Sequence, residues 1–152
     1  MTMIDEEMRS GAPAPTATTT TTPAVARTDT RRWLREQITS ETAALMGAAW
    51  WVLFLISVGL QPEPTGSDPA WAGVLDFTLF GLIAAAAAGL VARRRWGLLA
   101  SLGAAGLYTA LVVACPTTGH HAIGAWWFGQ MACVLALVGA SAYALSRRAA
   151  TG

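Results

Sequence analysis

Residues 71–114 read WAGVLDFTLFGLIAAAAAGLVARRRWGLLASLGAAGLYTALVVA, two apolar runs parted by Arg93, Arg94 and Arg95 alone. The runs, 71–92 and 96–114, hold 22 and 19 residues. At 1.5 Å rise per residue, about 20 helical residues cross a bilayer core of about 30 Å. Neither run carries the polar stripe that a helix on the surface of a soluble domain shows. With three residues between them, the second helix has to fold straight back along the first.

The pattern repeats on both sides of this hairpin. Residues 42–60 form an apolar stretch of 19 and residues 122–145 one of 24. The first connection, Gln61 to Ala70, contains Pro62, Pro64, Gly66 and Pro69; the third, Cys115 to His121, contains Pro116 and Gly119. These are turn residues, and no connection is long enough for an extramembrane domain. The reading is therefore an all-α polytopic membrane protein, a four-transmembrane-helix up-down-up-down bundle over residues 42–148. Composition agrees. The chain of 152 residues is 54% hydrophobic with a mean hydropathy of +0.46, and only 12% of it is charged, about half the share of an ordinary soluble domain.

Residues 1–30 differ in kind. They hold Gly11-Ala12-Pro13-Ala14-Pro15 and an unbroken threonine run from Thr18 to Thr22. Such a segment has almost no apolar surface with which to offset ordering entropy, so a disordered cytoplasmic tail is expected. It is not patterned as a secretory signal. Residues 31–41 place Arg31, Arg32 and Arg35 around Trp33, Leu34 and Ile38. That mixture suits either an interfacial helix with guanidiniums among anionic headgroups or a plain helical lead-in to the first span.

Orientation follows from the arginines, which supply all ten cations. Five precede the first span, three separate the second from the third, and two follow the fourth, so an even number of crossings parts each group. All ten therefore share one side, while Glu63, Asp68, His120 and His121 lie on the other. The positive-inside rule then places both termini in the cytoplasm and the chain, multi-pass, in the cytoplasmic (plasma) membrane. The formal net charge of +1 gives no reason to expect nucleic acid as a partner; the lipid bilayer is the expected one.

Association of helices in lipid depends on close backbone approach. Small residues recur at four-residue spacing as Gly81, Ala85 and Gly89 in the second span, Gly97, Ser101, Ala105 and Thr109 in the third, and Ala132, Ala136, Ala140 and Ala144 in the fourth. These rows suit packing within the chain, a homo-oligomer, or docking to other membrane proteins. Trp50 and Trp51 fall near the centre of the first span, where an indole N–H has no water. They are expected to fill gaps beside alanine-rich helices, the alternative being a polar neighbour or a cofactor.

Few groups can carry chemistry. Asp76 is the carboxylate inside a span, and a charge there normally has a partner or a role. The segment Cys115-Pro116-Thr117-Thr118-Gly119-His120-His121 contains both histidines of the chain. Thiolate and imidazole are ligands of copper and zinc, so Cys115, His120, His121 and Asp76 form the candidate metal site. Its spacing, C-x4-H-H, matches no standard zinc motif. The bland reading is a turn in which Gly119 takes a special backbone conformation and the histidines cap the fourth helix. There the helix dipole keeps the imidazoles neutral, whereas Cys115, at a helix C-terminus, is a poor thiolate. Tyr108, Gln130 and Cys133 line up as either a polar path inward or interhelical hydrogen-bond partners. Cys115 and Cys133 lie too far apart along the bundle for a disulfide. No P-loop, dinucleotide fingerprint or nucleophile elbow is present. The expected function is a non-enzymatic scaffold or accessory subunit. Metal binding or transport at the outer face is the first alternative, and a thiol redox enzyme the second.

Overall fold

The computed structural model describes residues 30–63, 70–119 and 121–147. Four long helices make up the structure: α1 (Ser40–Gly59), α2 (Ala70–Val91), α3 (Arg95–Thr117) and α4 (Ala125–Ser146). Each is long and apolar enough to cross a membrane. The expected tail over 1–30 lies, but for Thr30, outside the described residues.

Local chemistry explains the helix ends. Thr39 opens α1 by accepting a hydrogen bond from the Thr42 amide on its hydroxyl, 3.1 Å away, the usual threonine N-cap. The helix thus begins at Ser40, two residues before the apolar run does. Between α2 and α3 the Arg94 amide donates to the Gly89 carbonyl and the Arg93 amide to Leu90. That crossed pair is a Schellman motif, and it requires a left-handed residue at the position Arg93 holds, with φ 52°. Glycine is the usual occupant. At the far end of α3, Gly119 takes that role with φ 73°.

α3 extends further than its apolar run. It continues through Cys115 and Pro116 to Thr117, so Cys115 belongs to the last helical turn rather than to a loop. Proline has no N–H to give the carbonyl four residues back, that of Val112. The indole of Trp127 replaces it, donating to the Val112 oxygen at 2.9 Å. α4 conversely begins later, at Ala125 after an extended Gly124. The Trp126 indole donates to Ala122 at 3.0 Å and ties residues 122–126 into the approach to the helix.

The helices form a ring in which α3 packs on α2 and on α4, and α4 on α1, while α1 and α2 barely touch. At the hairpin the backbones meet: a Cβ on Gly89 would sit 2.3 Å from Gly97 Cα. The buried faces follow helical spacing, with Met46, Trp50 and Ser57 on α1 and Gln130, Val134, Leu137 and Ser141 on α4. The row Gly97, Ser101 and Ala105 is buried as expected. The row on α4 is split: Ala132 and Ala136 are exposed, while Ala140 and Ala144 are half-buried against the core; on α2, Gly81 faces open space. The inward places on α4 go to Gln130, Cys133, Val134, Leu137 and Ser141, of which Gln130 and Ser141 bond to neighbouring helices.

The outward surface is apolar. Val91 is 85% exposed, Phe77 82% and Trp51 70%, side chains a water-facing surface of this size seldom presents together. Two of the polar core contacts join α1 to α3. The Trp50 indole donates to Ser101 Oγ at 2.7 Å, and the Ser57 and Tyr108 hydroxyls share a bond of 2.8 Å. Ser101 Oγ also bonds Ser141 Oγ at 2.8 Å, and the Gln130 amide donates to the Ser57 carbonyl at 2.9 Å. Trp50 therefore has the polar neighbour that was the alternative to ordinary packing, and Trp51 points outward.

The segment before α1 is helical only over residues 30–34; it then runs extended, bridging Gln37 to Arg94. The Ile38 amide donates to the Arg93 carbonyl and the Arg95 amide to Glu36. This ties the segment to the α2–α3 turn, so no continuous helix spans 31–41.

Candidate functional site

Two clusters of polar side chains stand at opposite ends of the ring. At one end Arg95, only 6% exposed, is enclosed on three sides. Its guanidinium is 3.4 Å from the Glu36 carboxylate, 5.1 Å from the centre of the Trp33 ring, and donates to the Arg147 carbonyl at 2.6 Å. Arg94 reaches the Arg35 carbonyl from the same turn. A buried guanidinium is tolerated only when its donors are so occupied. This end is a structural clasp joining the lead-in segment, the α2–α3 turn and the end of α4.

The other end holds a cavity of about 140 Å³. Trp71 and Asp76 of α2, Tyr108 and Cys115 of α3, Gln130 of α4 and Gln61 just beyond α1 contribute to its wall. α1 and α2 barely touch, and the cavity is walled chiefly by α2, α3 and α4. Gln130 and Tyr108 are fixed from behind by Ser57, through its carbonyl and its hydroxyl respectively. Asp76 sits six residues into α2, about 9 Å from its first residue. Thr78, a neighbour that could have bonded it, instead donates to the Val74 carbonyl at 2.8 Å. Asp76 makes no hydrogen bond or salt bridge among the described residues. A second hollow of about 210 Å³ lies between α1 and α2, lined by apolar groups including Trp50, Phe54 and Ile83.

Of the four candidate metal ligands, the structure brings two together, since Asp76 and Cys115 share the cavity wall. His121 is not part of that wall. It is 2% exposed, with its ring edge-on to Trp126 at a centroid separation of 5.4 Å. Because α4 starts at Ala125 with Gly124 as its N-cap, His121 also lies outside the first helical turn and does not cap the helix. His120 lies outside the described residues. Among the described residues no three His, Cys, Asp or Glu groups are placed to hold a metal ion. Cys115 and Cys133 are not joined by a disulfide.

Tyr108 and Gln130, read from sequence as path or partners, serve as partners and as cavity wall at once. Ser57 and Ser141 were not singled out by sequence reasoning. Their only signal was a hydroxyl inside an apolar run, which is also what a small packing residue looks like. No protein-family model matches the chain, and neither the curated proteins nor the solved structures contain a significant match to it.

Proposed function

We propose that the protein is a multi-pass membrane bundle that threads the cytoplasmic membrane up-down-up-down, with both termini in the cytoplasm, and acts as a non-enzymatic scaffold or accessory subunit. One observation carries this reading. In the middle of four apolar helices, the polar side chains are bonded to one another across helix interfaces, while the outer surface presents large apolar groups. Such bonds average about 0.6 kcal/mol each in lipid, and together they specify one arrangement of helices. The arginine distribution supports the orientation, because every described arginine lies at the clasp end.

The test is topological and biochemical. Reporters at both termini are expected to be inaccessible in intact cells, and a cysteine placed at Glu63 to react with an impermeant reagent from outside. Cross-linking in native membranes is expected to join the chain to a defined partner through the α4 face carrying Ala132 and Ala136. External access to either terminus overturns the orientation, and turnover of a substrate by the isolated monomer overturns the scaffold role.

A further inference from the structure

The cavity has a composition that points to a ligand. Asp76, exposed on α2, places a carboxyl group on an otherwise apolar helix and lines the cavity, and an ionised carboxylate in such a place ordinarily has a partner. The chain has no lysine. Every described arginine is at the other end of the bundle; Arg93 is seventeen residues further along the chain from Asp76 and stands beyond the far end of α2, about 25 Å away. Among the described residues no lysine or arginine pairs with Asp76. Gln130 and Tyr108, both more than nine-tenths buried, line the same space from the opposite wall. Trp71 and Tyr108 add aromatic rings, whose faces attract cations.

We propose that this cavity binds a small primary ammonium ion, with Asp76 as counter-ion. The chemistry selects that class. An ammonium group has three N–H donors, and the wall holds a carboxylate, an amide and a phenol to receive them. A calcium-like cation demands six or more oxygen ligands, and zinc prefers four nitrogen and sulfur ligands; one carboxylate and one thiol satisfy neither. One carboxylate carries at most one charge and so matches a monovalent ion, and the volume of about 140 Å³ suits a two- or three-carbon amine. The inference concerns the folded bundle whichever way it threads the membrane, so it and the orientation above can fail separately.

The experiment titrates the full-length chain in lipid nanodiscs with ethylammonium, followed by saturation-transfer NMR, against ethanol and sodium at equal ionic strength. Saturable ethylammonium binding is expected, at least tenfold tighter than either control. Asp76→Asn is isosteric and removes no hydrogen bond, and should weaken binding at least tenfold. Ala72→Phe, which fills the cavity from α2 and leaves the charge intact, should do the same. Absence of saturation, equal binding of ethanol or sodium, or either variant binding within twofold of the native chain overturns the proposal. Unchanged helix content by circular dichroism confirms that each variant is folded.

Discussion

Pro116 and Trp127 illustrate how a single residue in this chain creates a requirement that another meets. Proline frees the Val112 carbonyl, and the indole of Trp127 occupies it. A carbonyl left unsatisfied inside a bundle costs about 1–3 kcal/mol. Trp127→Phe is therefore expected to destabilise the chain by about 1–3 kcal/mol in reversible unfolding from mixed micelles. In a Pro116→Ala background the amide of residue 116 can bond Val112, and the same substitution should cost clearly less. Equal losses in the two backgrounds would show that the indole contributes packing only. Ser101 is a second such case, since it accepts from Trp50 and bonds Ser141. Ser101→Ala should cost more than Thr109→Ala, because the Thr109 hydroxyl bonds only the Ala105 carbonyl of its own helix.

At the scale of elements, the α2–α3 hairpin depends on glycine at one level and tolerates substitution at another. Gly89→Ala drives a methyl into the Gly97 backbone and is expected to cost about 1–3 kcal/mol or more, as overpacking does. Gly81→Ala meets nothing within 4 Å; it should be neutral or stabilising by up to about 1 kcal/mol, through helix propensity. A thermal or denaturant series on the two variants checks the contrast, and equal effects would refute the close approach. The lead-in segment gives another test. Glu36→Gln weakens the hold on Arg95, so the Ile38 and Arg95 amides, which bond across the clasp, should exchange about tenfold faster, a loss of about 1.4 kcal/mol locally. Exchange within the middle of α3 should not change. Uniform acceleration across α3 would mean that the clasp supports the whole bundle.

For the whole molecule, the separation of charge is the organising feature. Among the described residues, guanidiniums collect at one end and the carboxyl group of Asp76 stands toward the other, with interhelical hydrogen bonds between. If the Asp76 cavity is an ammonium site and not a metal centre, the purified full-length chain should carry copper and zinc well below one per chain. Elemental analysis of detergent-purified protein reads this directly. Stoichiometric metal that disappears on replacing His120 and His121 by Ala would reverse that assignment.

Four apolar helices and their approximate limits were legible in the sequence, because length against bilayer thickness and the absence of polar stripes are properties of each segment alone. Asp76 and Cys115 were likewise conspicuous, as chemistry-bearing residues in apolar surroundings. Which faces turn inward was not. In lipid the polar stripe that marks the outside of a soluble helix is missing, so Ala132 and Ala136 looked as suited to the core as Ser141 did. Nor could spacing along the chain tell that Asp76 shares a cavity with Tyr108, Cys115 and Gln130 while His121 packs elsewhere. Those relations are distances between segments far apart in sequence, and only the packing of α3 against α2 and α4 decides them.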